Sequence, residues 1–169
     1  DYARSKNLFI IADVYGEYSL SLAKKLDVDG FKIHSEDLLN SFFIAKVARE
    51  SKLLLISVGS AHRIEIYNLL SFLEKEGLLS RVVLMTGVQT FPTPLSAHSL
   101  GEVSDLVEKY SRYDVKVGFS DHISGDLEES QIVPLMALAS GACVIEKHIT
   151  VNRDDQWIDY HSALGKNSF

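Results

Sequence analysis

The feature that most constrains this chain is a repeated alternation: short apolar runs of β-type composition are each followed by a segment whose apolar residues recur at helical spacing. Strands are expected at about Leu8–Val14, Phe31–His34, Leu53–Val58, Val82–Thr86, Val115–Phe119 and Cys143–Ile149. Between them, Tyr18–Leu26, Leu38–Ala48, Ile64–Glu76, Leu100–Tyr110 and Ile132–Ala139 read as amphipathic helices. Strand starts lie about 22 to 34 residues apart, room for a strand and a returning helix. Five βα units and a closing strand result. Runs such as Leu53-Leu54-Leu55-Ile56 are apolar on both faces, as a parallel sheet covered by helices requires. No linker or low-complexity tract interrupts the pattern, so a single domain over residues 1–169 is expected.

Chemistry concentrates where the strands end. Within Val144–Thr150, alternation places Glu146 and His148 on one face and Ile145, Lys147 and Ile149 on the other. Gly118-Phe119-Ser120-Asp121-His122 repeats the arrangement, with Ser120 and His122 two apart at the end of the preceding strand. The competing reading is a strand end whose charges simply reach solvent; a second histidine at a second strand end weakens it. Asp13, Lys32, Ser35, Ser57, Gln89, Ser120, His122, Glu146 and His148 all fall at or just beyond C-terminal strand ends. A closed (β/α)8 barrel gathers such ends around one pocket, whereas an open sheet spreads them along an edge. The expected fold class is therefore α/β, a (β/α)8 TIM-barrel that is incomplete, with six of eight strands.

Composition bounds the function. Hydrophobic residues make up 46% of 169, enough for a sizeable core. No apolar run approaches the ~20 residues of a membrane span, and the N-terminus lacks a signal-peptide layout, so a cytoplasmic protein without a membrane partner is expected. The net charge of −6, with scattered basic residues, argues against nucleic acid. Cys143, the only cysteine, lies in an apolar context and is expected to be a buried thiol. Redox chemistry is unsupported.

Five motifs, in order and spacing, resemble the sialic acid synthase family: Lys32-Ile33-His34-Ser35, Ser57-Val58-Gly59, Phe91-Pro92-Thr93-Pro94, Gly118–His122 and Gly141–Thr150. The tail Asp159-Tyr160-His161-Ser162-Ala163-Leu164 is similar to that family's segment after the last barrel strand. The resemblance implies barrel strands three to eight, with the first two βα units and any C-terminal antifreeze-like domain absent. It implies a condensation of phosphoenolpyruvate with an N-acetylated amino-sugar aldehyde, such as N-acetylmannosamine, giving a nine-carbon 2-keto acid and phosphate. It further implies a homodimer and a divalent metal, Mn2+ or Mg2+, held by His122 and His148. Neutral imidazoles suit such ions, and two alone leave positions for water and a sugar aldehyde. Lys32, Glu146 and His148 take catalytic roles by the same resemblance. Lys32 matches a phosphate-binding lysine, with Ser35, Ser57 and Ser120 as hydroxyl donors, and Glu146 matches a sugar-binding acid. On structural grounds alone Lys32 could instead pair with an acid in the barrel wall, and Ser35 and Ser57 could be loop or cap residues.

Departures from the pattern bear on substrate. Asp13 stands where the family usually has a phosphate-binding Thr, and Gln89 and Phe91 stand in place of Asn and Tyr near the ligand. A carboxylate about 4 Å from a phosphate is repulsive by roughly 1–4 kcal/mol. Asp13 and Lys32 end adjacent strands and are expected to face each other. Two other readings stay open: a related metal-dependent carbon–carbon bond-forming enzyme with another substrate, and a degenerate homologue serving as a sugar-binding or interaction module.

Overall fold

The computed structural model describes residues 2–168; Asp1 and Phe169, the two ends of the expected domain, lie outside the described residues. It comprises two compact units, Asp1–Leu84 with Arg112–Val115, and Met85–Ser111 with Lys116–Phe169.

The first unit opens with one helical turn, α1 (Tyr2–Ser5), followed by β1 (Ile11–Asp13), α2 (Glu17–Lys25), β2 (Gly30–Ile33), α3 (Ser41–Glu50), β3 (Leu54–Ser57), α4 (Arg63–Lys75) and the start of β4 (Val82–Thr86). Its strands are neighbours in sequence order, with parallel ladders that pair Asp13 with Lys32 and Ile33 with Ile56. Every residue of β2 and β3 is buried, which is why both read as continuous apolar runs rather than alternating ones. Helix α3 starts where the Asn40 side chain accepts the Phe43 N–H at 3.3 Å, covering a donor the first turn cannot satisfy itself. Its Phe43, Ile44, Val47 and Ala48 then form one buried stripe. Arg81, entering β4, donates to the carbonyls of Ala48 and Ser51 at 2.9 and 3.0 Å and so ties the end of α3 to the sheet. Each fully buried side chain such as Ile33, Ile44, Leu54, Ile56 or Leu70 contributes about 1.5–3 kcal/mol.

The expected strand Leu8–Val14 is shorter than its apolar run. Only Ile11–Asp13 pairs with β2, and the ladder starts where the Ile10 carbonyl accepts the N–H groups of Asp29 and Gly30 at 2.8 and 3.2 Å. Leu8 and Phe9 are exposed.

The second unit takes the end of β4 and continues through α5 (Gly101–Lys109), β5 (Lys116–Asp121), α6 (Glu129–Ala139), β6 (Val144–Lys147), β7 (Ile149–Thr150) and β8 (Leu164–Gly165). Here β5 lies between β4 and β6, and the parallel β5–β6 register sets Ser120 opposite Glu146 and Asp121 opposite Lys147. The expected strand Cys143–Ile149 is broken at His148. Its last residues leave the ladder and pair with the tail instead: Ile149 sits opposite Leu164, Thr150 opposite Gly165, and the Leu164 N–H donates to the His148 carbonyl at 2.9 Å. Cys143 corrects a second expectation, since it is exposed rather than buried. It precedes β6, the last strand in the sheet order, so among the described residues no further strand covers it.

Glycine is required where β4 leaves the sheet. Gly87 adopts φ +147°, and a Cβ there would stand 2.2 Å from the Ser120 carbonyl oxygen. That close approach brings the loop carrying Gln89 and Phe91 to the end of β5.

Candidate functional site

In the second unit the register does what alternation predicts. Ser120 and Glu146 are ladder partners and so share a face, and His122 and His148 follow each of them by two residues. The two imidazoles lie with ring centres 5.3 Å apart, and the Phe91 ring packs 4.2 Å from His122 and 5.7 Å from His148. Ser120 is buried, and among the described residues its Oγ has no hydrogen-bond partner. The half-buried Gln89 places its amide nitrogen 3.5 Å from the Gly87 carbonyl. Cis peptide geometry at Phe91-Pro92 ends this loop.

His122 is held on two sides. Its Nδ1 lies 2.9 Å from the Val88 carbonyl oxygen, which can only accept, so Nδ1 carries a proton, and in the neutral ring Nε2 has the lone pair. That is the tautomer a metal-binding imidazole adopts when its other nitrogen is anchored. Its own carbonyl accepts from the Thr93 N–H and the Ser162 hydroxyl, each at 2.8 Å. Ser162 comes from the tail, whose neighbour Asp159 places a carboxylate oxygen 4.0 Å from His148 Nδ1. Two imidazoles at this spacing can reach one ion across metal–nitrogen bonds of about 2.0–2.1 Å. Among the described residues no group of three or more His, Cys, Asp or Glu side chains could hold a metal ion.

The opposite face of the same strands carries a buried ion pair. Lys147 Nζ lies 2.6 Å from Asp121 Oδ2, their side chains 5% and 0% exposed. Lys147 also donates to the Ile123 carbonyl at 3.1 Å, while Asp121 Oδ1 accepts the Ile123 N–H at 3.0 Å. His98 packs nearby with its ring 6.0 Å from that of Phe119, and among the described residues neither of its nitrogens has a hydrogen-bond partner. Burial pushes its pKa below the ordinary 6.5; the Asp121 carboxylate opposes that shift and Lys147 reinforces it. A group with a depressed folded-state pKa stays neutral in the fold while the unfolded chain takes up the proton, so stability is full above about pH 6.5 and falls as the pH drops. His98→Phe should therefore shift stability by no more than about 1 kcal/mol at pH 7.5, since an apolar ring replaces an unsatisfied one. It should also lose less stability than wild type between pH 7.5 and 5.5 in thermal melts. Equal acid-side losses in the two proteins would remove His98 as the cause.

In the first unit, Lys32 is buried to 9% exposure on β2, Ser57 to 1% at the end of β3, and Ser35 is half-buried at the start of a 3-10 turn. Asp13 shares a face with Lys32 through their register, and its Oδ2 lies 3.2 Å from His34 Nε2. Tyr15 stacks on that imidazole, with ring centres 5.1 Å apart and planes inclined by 28°. Its hydroxyl pKa is raised, by desolvation first and then by the carboxylates of Asp13, Glu36 and Asp37. Sequence reasoning singled out neither His34 nor Tyr15, nor the Asp121–Lys147 pair. The alternation that grouped Glu146 with His148 also put Asp121 and Lys147 opposite them, and that signal could have exposed the ion pair.

With this geometry in view, the NeuB family model matches residues 1–169, the full chain. The chain belongs to the NeuB family. This NeuB-family chain is 29% identical over 164 residues to N,N'-diacetyllegionaminic acid synthase of Campylobacter jejuni, covering 96% of this chain and 47% of that protein. It is 28% identical over 169 residues to pseudaminic acid synthase of Helicobacter pylori, covering 100% of this chain and 47% of the relative. Among solved structures, an N-acetylneuraminic acid (sialic acid) synthetase of Leptospira borgpetersenii in complex with citrate superposes with a TM-score of 0.83 at 29% identity, covering 98% of this chain and 55% of that one. The chain thus spans about half the length of the relatives it matches. These relatives are sugar-acid synthases by name, and the fold is an incomplete (β/α)8 barrel with six of its eight strands. Among the described residues no helix is long and apolar enough to cross a membrane.

Proposed function

We propose that this NeuB-family protein serves the condensation of phosphoenolpyruvate with an N-acetylated amino-sugar aldehyde such as N-acetylmannosamine, forming a 2-keto sugar acid and releasing phosphate. The observation that carries the proposal is the placement of His122, His148 and the Phe91 ring around one point, beside the unsatisfied hydroxyl of buried Ser120. A divalent ion, Mn2+ or Mg2+, fits the paired imidazoles and, when bound, acts as a Lewis acid toward the aldehyde. The protein's own groups do the rest. Val88 fixes the His122 tautomer, Thr93 and Ser162 fix its backbone, and Phe91 walls the histidines with an apolar ring. Ser120 has a hydroxyl to donate to an anionic oxygen in a site where an unmade hydrogen bond is costly. Glu146, on the same face, accepts from sugar hydroxyls. Lys32, Ser35 and Ser57 bind the donor's phosphate or carboxylate through charge and hydroxyl donors.

Incubating the protein with Mn2+, phosphoenolpyruvate and N-acetylmannosamine tests this directly. Phosphate release that requires both substrates, with a matching yield of 2-keto acid, is expected. Replacing His148 with Gln should lower that rate at least about 100-fold, the usual scale for losing a metal ligand or its support. A folded, metal-loaded protein that forms no product from any N-acetylated amino-sugar aldehyde would overturn the reading.

A further inference from the structure

We infer that Arg153 is the positioning residue of the histidine pair, because it holds the tail segment that fixes the backbone of both His122 and His148. This deepens the reading of the two imidazoles as the site of a divalent ion and rests on it. One short segment, Tyr160–Leu164, reaches both histidines: the Ser162 hydroxyl donates to the His122 carbonyl at 2.8 Å, and the Leu164 N–H donates to the His148 carbonyl at 2.9 Å. The spacing of the two rings therefore depends on where that segment lies. Ser162 is fully buried, so no solvent competes for its bond.

A single 3-10 turn, Tyr160–Ser162, is too short to hold such a position by its own hydrogen bonds. Arg153 supplies the anchor. Its Nη1 donates to the Tyr160 carbonyl at 2.9 Å and to the Ala163 carbonyl, so the two bonds flank Ser162 and the second falls immediately before Leu164. Its Nη2 lies 2.8 Å from Asp126 Oδ1, in the loop that follows His122. The guanidinium thus joins the tail to the loop of one histidine while the tail bonds to both. There is no slack between them. A Cβ on Gly125 would stand 2.0 Å from the Ala163 carbonyl oxygen and 2.2 Å from Arg153 Nη1, and the Gly125 N–H donates to the His161 carbonyl at 2.8 Å. A planar fork can serve two carbonyls and a carboxylate at once, which the point charge of a lysine cannot reproduce. The arginine side chain is only 22% exposed, whereas that of Asp126 is 73% exposed, so the carbonyl bonds matter more than the ion pair.

Mn2+ affinity, read from the EPR signal of the free ion, tests the assignment, with urea denaturation of each metal-free variant measured alongside. Arg153→Met should weaken Mn2+ binding to the folded protein by about 10–100-fold, the scale of losing a group that orients a metal ligand. Arg153→Lys should weaken it at least about fivefold, and Asp126→Asn should leave it within about twofold of wild type. Arg153→Met should also cost less affinity in a Ser162→Ala background than in wild type, because both residues act through the same segment. A merely structural arginine would lower the urea midpoint and leave the affinity of the folded protein unchanged. Wild-type Mn2+ binding that depends on His148, combined with undiminished affinity in Arg153→Met, overturns the inference alone; so do losses that add in full with Ser162→Ala. Should Arg153→Met fail to fold, Arg153→Lys decides by the same measurement. A wild type that binds no Mn2+, or binds it equally well as His148→Gln, overturns the metal reading and this inference with it.

Discussion

Replacing Lys147 with Met is expected to destabilise the protein by about 3–5 kcal/mol, because it leaves the Asp121 carboxylate charged, fully buried and unpaired. Against a typical total of about 5–15 kcal/mol, that is a large fraction of the whole stability. For a chain of this length it corresponds to a fall in melting temperature on the order of 10 °C. Adding Asp121→Asn should recover most of the loss. Asparagine removes the charge but keeps an oxygen to accept the Ile123 N–H, which Asp121 Oδ1 accepts at 3.0 Å in the native protein. Chemical denaturation of the two variants checks the claim. If Lys147→Met cost less than about 1 kcal/mol, the pair would count as exposed in energetic terms, despite its geometry.

The second expected result concerns the histidine pair. Mn2+ at about 100 times its dissociation constant should stabilise the wild type by about 2.7 kcal/mol, a shift readily seen in thermal melts. His122→Gln and His148→Gln should each lose most of that gain, since each removes one of the two ligands that the proposal assigns to the ion. His122→Gln also removes the bond to the Val88 carbonyl, so each variant is compared with its own metal-free form. The backbone at His122 stays clamped by Thr93 and Ser162, which separates loss of a ligand from loss of the loop. Identical Mn2+ shifts in all three proteins would remove the metal from the proposal.

The strand ends that form the candidate site were legible because their signals are local. A period of two groups Ser120 with His122 and Glu146 with His148, and the ladder register sets Ser120 opposite Glu146. The Asp13–His34 pair was not legible in the same way. Strand order put Asp13 beside Lys32, but a contact from its carboxylate to His34 depends on reach and ring orientation, and Tyr15 stacks on that ring from another segment.

By itself the sequence determined the alternation of strands and helices, their order, and which side chains share a face, because each follows from backbone periodicity and from apolar surface that must be covered. Only the tertiary structure decided where strands stop. His148 leaves β6 because the tail returns to bond its carbonyl and pair with β7, a contact between segments too far apart in sequence for any local pattern to carry. The exposure of Cys143 has a related cause. An apolar neighbourhood in the sequence states what a residue could bury against, while burial itself depends on what the fold places there, and among the described residues no further strand continues the sheet beyond β6.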